Sequence, residues 1–227
     1  MKEKILIFDA SPLISFAMNG LLPELKSLKE TFEGKFIITK EVKYEIIDRP
    51  ITIKRFELEA LKLQELINEG ILEFPESLGI DENKITKDTE TLLTIANNTF
   101  WEKGKPLHLI DLGETSAIVL SKMLNEKGIE NVLAIDERTT RMLCEKPDNL
   151  KKLLQKKLHS SVDIRKENLH HFVGFKIIRS CELGYMIYKK GLTRIKNKKV
   201  LDAILYALKF KGCAISFEEI EEIKKLA

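Results

Sequence analysis

Two short apolar runs, each ending in an aspartate, restrict the fold more than any other feature of this sequence. Lys4–Phe8 stops at Asp9, and the run at 131–135 stops at Asp136. Such runs are typical of strands buried on both faces of a parallel sheet. A helix is predicted directly after each acid, with Pro12 suited to the first turn of the earlier one. Both carboxylates should therefore lie at the carboxyl edge of the sheet, where open α/β folds bind ligands.

Strand-like and helix-like patterns alternate along the rest of the chain. They predict an α/β fold with three layers (α/β/α), a mostly parallel central sheet and a single domain over residues 1–227. The polar stretch at 75–88 is interpreted as a loop. The strands are expected at 4–8, 35–39, 71–74, 131–135 and 175–178, and the main helices at 13–18, 23–30, 40–48, 52–68, 92–99, 111–125, 181–190, 200–211 and 217–226.

Composition excludes several other classes of protein. No apolar run approaches the roughly 20 residues of a membrane span, so no membrane is expected as a partner and a cytoplasmic location is predicted. The widely spaced Cys144, Cys181 and Cys213 are predicted to be buried apolar residues, because they lack the spacing of a zinc site. Motifs that bind nucleotides or dinucleotides, or that carry a serine nucleophile, are missing.

The formal net charge of +3 hides an uneven distribution. Residues 1–145 hold 19 Lys and Arg against 26 Asp and Glu, whereas residues 146–211 hold 17 against 5. An acidic front and a basic back suit an enzyme that gathers metal ions and contacts a polyanion. Enrichment in Lys and Glu is equally typical of heat-adapted proteins, and both interpretations stay open.

Four acids are candidates for a shared site. Glu45 on the helix after the second strand and Glu114 in the first turn of a helix can reach the edge that carries Asp9 and Asp136. Four converging carboxylates repel one another by roughly 1–4 kcal/mol per pair at 4 Å, so a cation is needed among them. Oxygen ligands favour Mg²⁺ or Mn²⁺, which can promote the hydrolysis of a phosphodiester.

Each acid also has a purely structural explanation. Asp9 and Asp136 could be helix N-caps worth about 1 kcal/mol each. Asp111 and Glu114 have the spacing of a capping box, and Glu45 could be a solvated helix residue. Taken one at a time, the residues favour these structural roles.

The order of several motifs adds a resemblance to a known family. The chain resembles PIN-domain nucleases, in particular prokaryotic ones related to the toxin ribonucleases of toxin–antitoxin pairs. The motifs that carry the resemblance are Asp9-Ala-Ser-Pro-Leu-Ile14, Val42-Lys-Tyr-Glu45, Gly113-Glu-Thr-Ser-Ala-Ile-Val-Leu120, Ala134-Ile-Asp-Glu-Arg-Thr-Thr-Arg141 and the closing segments at 183–192 and 201–216.

The resemblance implies a metal-dependent endoribonuclease with Asp9, Glu45, Glu114 and Asp136 as the acids that bind Mg²⁺ or Mn²⁺. It implies secondary roles for four further residues, namely Ser11, Asp111, Glu137 and Arg141. Ser11 would hold a water or phosphate, Asp111 and Glu137 would be neighbours of the acids, and Arg141 would contact a phosphate or pair with an acid.

The chain departs from the family pattern at several points. Glu137 replaces a second Asp, and residues 179–182 replace a turn of small residues. Insertions are predicted at about 75–106 and 146–174, the first extending a flap near the site and the second holding RNA through its basic residues.

The sequence therefore predicts an enzyme that hydrolyses RNA, with RNA as its partner. Two alternatives stay open: a PIN-like RNA-binding or assembly module with weak catalysis, and the toxin half of a toxin–antitoxin pair with an antitoxin as its partner. A homodimer is a further expectation from the resemblance.

Overall fold

The computed structural model describes residues 4–226 of the chain. Its strands are β1 (Lys4–Phe8), β2 (Gly34–Ile37), β3 (Phe100–Glu102), β4 (Lys105–Pro106), β5 (Asn131–Ala134), β6 (Val162–Ile164) and β7 (Ile177–Ile178). Its α-helices are α1 (Ala10–Met18), α2 (Leu22–Thr31), α3 (Lys40–Lys43), α4 (Glu57–Asn68), α5 (Glu82–Ala96), α6 (Leu112–Glu126), α7 (Arg138–Glu145), α8 (Pro147–Leu158), α9 (Ser180–Lys189), α10 (Val200–Phe210) and α11 (Phe217–Lys225).

The central sheet is parallel throughout, in the order β2-β1-β5-β7. The predicted strand at 71–74 is reduced to a single bridge between Ile37 and Glu73 at the outer edge of β2. Phe8 pairs with Ala134, and the Asp9 amide donates to the Ala134 carbonyl at 3.0 Å. This register brings the ends of β1 and β5 to the same edge, as the sequence predicts.

The sheet is covered on both faces, which confirms the predicted three-layer α/β/α class. Leu6 and Phe8 of β1 belong to a core completed by α1, α2, α4, α9, α10 and α11. Ile5 and Ile7 point to the other face and belong to a core completed by α5, α6, α7 and α8. The alternation along β1 follows from the two-residue period of a strand.

A second, small sheet was not predicted. It is antiparallel in the order β4-β3-β6, with Phe100 opposite Ile164 and Glu102 opposite Val162. Since β3 and β6 lie in the two predicted insertions, these segments pair with each other. Trp101 of β3 lies against the Arg165 guanidinium, 4.1 Å from the ring centroid, and its indole N–H donates to the Asn98 carbonyl at 2.7 Å.

The prediction of a loop over 75–88 is wrong in its second half. Pro75–Leu78 forms a 3-10 turn, and α5 begins at Glu82 with Asp81 as its N-cap. The buried residues of α5 include Ile85, Thr89 and Leu92, so a threonine replaces an apolar residue within the buried stripe. The polar Thr89 at a buried position weakens the apolar helical pattern in the sequence.

Two further expectations concern the chain as a whole. None of the helices formed by residues 4–226 has the length and apolar character needed to cross a bilayer. Cys144, Cys181 and Cys213 are buried free thiols, as predicted.

Candidate active site

Asp9 follows β1 directly and is the N-cap of α1. Its side chain is 2% exposed, and its Oδ2 accepts hydrogen bonds from the Ser11 amide at 3.1 Å and the Ser11 hydroxyl at 2.5 Å. The same hydroxyl lies 3.4 Å from the Asp136 amide, from which it accepts. Ser11 therefore links the ends of β1 and β5, next to the candidate acids as predicted.

Asp136 lies two residues beyond β5 and is fully buried. Its Oδ1 accepts from the Ser180 amide and its Oδ2 from the Ser180 hydroxyl, both at 2.7 Å. Because Ser180 is the first residue of α9, Asp136 satisfies the start of a helix that is distant in sequence. Nothing in the sequence indicated that Ser180 would bind both oxygens of this carboxylate.

Glu114 and Glu45 meet at the start of α6. Glu114 Oε2 accepts from the Asp111 amide at 3.2 Å, which is half of the predicted capping box. Glu45 Oε1 accepts from the Gly113 amide at 3.0 Å. A Cβ added at Gly113 would lie 2.7–2.9 Å from the Glu45 carboxylate, so only glycine allows this approach without displacing Glu45.

Glu45 belongs to a π-helical turn and not to a regular helix. The predicted helix over 40–48 is α3 followed by a π turn at Tyr44–Asp48, in which the Arg49 amide donates to the Tyr44 carbonyl at 3.0 Å. π turns are rare in proteins as a whole, and those that occur are often found at functional sites. The extra residue in this turn changes the direction of the side chains that follow α3, including Glu45.

All four acids have raised pKa values, and burial is the main cause for each. Burial and then the charge of Asp9 raise the pKa of Glu114 to about 8 and that of Glu45 to about 7. Burial also raises the pKa values of Asp9 and Asp136, and the charge of Asp136 raises that of Asp9 further. Asp9 therefore lies close enough to Glu45, Glu114 and Asp136 for its charge to repel each of them.

The compensation for this charge comes from helix ends, from the Ser11 and Ser180 hydroxyls and, for Glu45, from the charge of Arg49, which lowers its pKa. No Lys or Arg of residues 4–226 lies within ion-pair distance of any of the four acids. Instead, the amino-terminal turns of α1, α6 and α9 direct amide groups at them. A helix N-terminus carries roughly half a positive charge, which offsets the burial of an acid only in part. The raised pKa values show that the acids remain undercompensated.

The donor chemistry of this cluster suits a hard divalent cation, since all its ligands would be carboxylate oxygens. The positions of the side chains are less suited to one, because within residues 4–226 no three His, Cys, Asp or Glu side chains are arranged to hold a metal ion. Hydrogen bonds to helix N-termini hold the acids apart, and both oxygens of Asp136 are engaged by Ser180. Asp9, Glu45 and Glu114 each have one oxygen that accepts none of these bonds.

The remaining predicted residues lie around this cluster. Asp111 is exposed and bonded to His108 Nε2 at 2.8 Å, while Glu137 is exposed and accepts from the Thr139 amide as the N-cap of α7. Arg141 is half-buried and donates from Nη1 to the Ala214 carbonyl at 3.1 Å. It forms no ion pair with an acid in the described part of the chain.

A hydroxyl pair that the sequence did not reveal fixes the end of β2 to α6. The Thr39 and Ser116 hydroxyls are buried and 2.6 Å apart, and Ser116 Oγ donates to the Gly113 carbonyl at 2.7 Å. Thr39 is also the N-cap of α3. This pair sets the position of α6, and therefore of Gly113 and Glu114, relative to the sheet.

A cavity of about 950 Å³ opens beside Glu45, which of the four acids is the one that lines it. The lining also includes the acids Glu41, Asp48 and Asp111, the basic Lys40 and Arg49, and the exposed Tyr44. Its size is at the upper end of the range for small-molecule pockets, large enough for a nucleotide.

Comparisons with known proteins give no relative: no family model, no curated protein and no solved structure matches the chain. The likeness to PIN-domain nucleases therefore stays a prediction from the sequence motifs.

Proposed function

We propose that this protein is a metal-dependent endoribonuclease of the PIN type that hydrolyses phosphodiester bonds of RNA. One observation carries the proposal: four acids at one edge of a parallel sheet, three of them buried and Glu45 half-buried, have raised pKa values and form no ion pair with a Lys or Arg of residues 4–226. Burying undercompensated charge is costly, and the cost is removed when a cation binds.

Asp9, Glu45 and Glu114 would hold Mg²⁺ or Mn²⁺ through their free carboxylate oxygens. Asp136, whose oxygens bind Ser180, would contribute mainly its charge. When bound, the cation supplies positive charge that stabilises the transition state of phosphodiester hydrolysis, and it makes a water nucleophile available at neutral pH. The Ser11 hydroxyl and the amides of α1 and α6 keep the carboxylates oriented.

The substrate would enter through the cavity beside Glu45. Lys40 and Arg49 line this cavity and would bind backbone phosphates near Glu45. Contacts of this kind position a nucleic acid without reading its bases. Cleavage should therefore depend weakly on base sequence.

The test is cleavage of single-stranded RNA by the purified full chain with Mn²⁺, with Mg²⁺ or with EDTA. We expect cleavage that requires metal and falls about 100-fold or more in Asp9→Asn, since loss of even a residue that supports a ligand costs about 10–100-fold. The matched control is Asp81→Asn, because Asp81 is also a helix N-cap but is exposed at the start of α5. Cleavage in EDTA, or equal activity of the two variants, would contradict the proposal.

A catalytically silent RNA-binding or assembly module is the second candidate. It is favoured by the engagement of both Asp136 oxygens and by the lack, among residues 4–226, of a group of three ligands arranged for a metal. Calorimetry separates the two functions, because a silent module that needs no metal would release no heat with Mn²⁺.

The predicted protein partners, an antitoxin or a second copy of the chain, have one supporting observation. A groove of about 310 Å³ next to Glu45 is lined by the partly exposed apolar side chains of Ile14, Met18, Ile53 and Phe56. The cytoplasmic location stays a prediction.

A further inference from the structure

A second cavity, of about 400 Å³, lies next to the candidate active site on the far side of α7. It is formed by α7, the start of α8 and the turn that leads into α11. Its lining includes Arg138, Arg141, Lys146, Glu145 and Glu219.

The cations of this cavity are largely unpaired. Within residues 4–226, the Arg138 and Lys146 side chains form no ion pair or hydrogen bond, and Arg141 uses only one N–H, on the Ala214 carbonyl. Glu219 is already paired with Arg179 at 2.9 Å. Glu219 also faces Arg141, whose charge helps to lower the pKa of the Glu219 carboxyl. Three basic side chains therefore face two acids, Glu145 and Glu219, so the cavity carries a net positive charge.

The cavity is adjacent to the acidic cluster in the fold. Arg138 is the first residue of α7, directly after Asp136 and Glu137, and Arg141 lies about one 5.4 Å turn further along the helix. On the opposite side, the Ala214 amide donates to the Asp136 carbonyl at 3.2 Å. An acidic site and a basic site are thus separated by little more than one helical turn.

We propose that this second cavity binds a backbone phosphate of the RNA that flanks the scissile one. That the bound phosphate flanks a scissile one rests on the proposed nuclease function, but the binding of an RNA phosphate in this cavity does not. Arg138 and Arg141 present planar guanidinium groups that suit bidentate contact with phosphate, and Lys146 adds a point charge. The three groups contact phosphate oxygens without reading a base, so the cavity fixes the register of the strand.

The experiment measures binding of a fluorescent oligouridylate to the full chain in EDTA, over a range of salt concentrations. The double variant Arg138→Glu/Lys146→Glu should weaken binding about tenfold and reduce the slope of log K against log salt by roughly 0.7–1 for each lost phosphate contact. Both side chains are exposed, so the fold should be unaffected, as urea unfolding will verify.

The matched control is Lys122→Glu/Lys127→Glu, which makes the same change in net charge with exposed residues at the other end of α6. It should leave the slope within 0.3 or so of the wild type, because long-range effects are screened beyond about 10 Å. A third variant, Glu145→Gln, removes the charge of one acid that lines the cavity and should tighten the binding of oligouridylate.

Equal effects of the two double variants would overturn the proposal, because binding would then follow net charge alone. An unchanged slope in Arg138→Glu/Lys146→Glu would also overturn it and would leave an acidic protein as the ligand of the cavity. Since EDTA prevents metal-dependent cleavage, loss of the nuclease proposal would leave this result unaffected.

Discussion

Two clusters of charged side chains lie side by side at the carboxyl edge of the sheet, and they are neutralised in different ways. In the first, the charge of Asp9, Glu45, Glu114 and Asp136 is offset by helix N-termini and by the Ser11 and Ser180 hydroxyls, without an ion pair to a Lys or Arg of residues 4–226. In the second, Arg179 donates to Glu182, to Glu219 and to the Ala214 carbonyl. Ala214 joins the clusters, because its amide binds the Asp136 carbonyl.

This difference indicates a structural role for the Arg179 cluster and a functional role for the acidic cluster. The Arg179 cluster is complete, and it connects the start of α9 to α11 at the position where the sequence departs from the PIN pattern. The acidic cluster has an excess of like charge that the described residues do not neutralise. A fold retains such an excess at a cost, and a ligand that supplies positive charge would remove the cost.

The largest expected effect is on the pH dependence of stability. The pKa of Glu114 rises from an ordinary value of 4.5 to about 8 in the folded protein, so the folded state binds the proton more tightly than the unfolded state. Stability from this proton is complete below pH 4.5 and is lost as the pH rises through about 8, by on the order of a few kcal/mol.

Urea unfolding in EDTA at pH 5.5, 7.0 and 8.5 measures this effect. The wild type should lose stability across the range, and Glu114→Gln should lose less. Saturating Mg²⁺ should restore most of the stability at pH 8.5. If the stability of the wild type depended on pH in the same way as that of Glu114→Gln, the acidic cluster would carry no more uncompensated charge than the Arg179 cluster.

A smaller effect is expected when the complete cluster is broken. Arg179→Met leaves Glu182 and Glu219 without their cation, and breaking a fully buried pair costs about 3–5 kcal/mol. Because these two acids are 31% and 42% exposed, we expect a loss of about 2 kcal/mol in the free energy of unfolding. The control is Arg194→Met, because Arg194 is exposed and forms no ion pair with residues 4–226; this variant should change stability by less than about 0.5 kcal/mol. Equal losses of stability in both variants would show that the ion pairs of Arg179 do not stabilise the fold more than an unpaired surface arginine does.

The smallest expected change in stability comes from Gly113→Ala. Alanine gains about 1 kcal/mol in helix propensity, and displacing the Glu45 carboxylate loses a hydrogen bond of similar size. Stability should stay within about 1 kcal/mol, while affinity for Mn²⁺ should fall about tenfold as Glu45 moves.

Gly184→Ala is the comparison for this variant. Its added Cβ would meet core side chains, Ile204 and Leu208, at 2.9–3.0 Å and not a carboxylate. It should cost about 1–3 kcal/mol in stability without changing the metal affinity. If the two glycine variants behave alike, Gly113 serves packing and not the site.

The parallel sheet and most of its helices could be predicted because β1 and β5 are apolar runs that end in aspartate. The small sheet could not, because β3 and β6 are three residues each and pair across a long stretch of chain. Their pairing depends on tertiary packing, for which short strands give no periodic signal. The helix at α5 was partly missed because Thr89 lies in its buried stripe.

The sequence placed the four acids at one edge but could not give their hydrogen bonds. The structural explanations were also confirmed for Asp9 as the N-cap of α1 and for Glu114 as the acceptor of the Asp111 amide. Ser180 and Gly113, which bind Asp136 and Glu45, lie far from these acids in sequence. Only the packing of α9 and α6 against the sheet brings them together.

The positions of these residues along the chain also set when the site can assemble during synthesis. Asp9 follows β1, whereas its neighbour Asp136 follows β5 and the Ser180 that binds it begins α9, so both are synthesised long after Asp9. At about 5–20 residues per second, Asp136 follows Asp9 by on the order of ten seconds. The nascent chain therefore carries Asp9 for that time without the neighbour that completes this part of the acidic cluster.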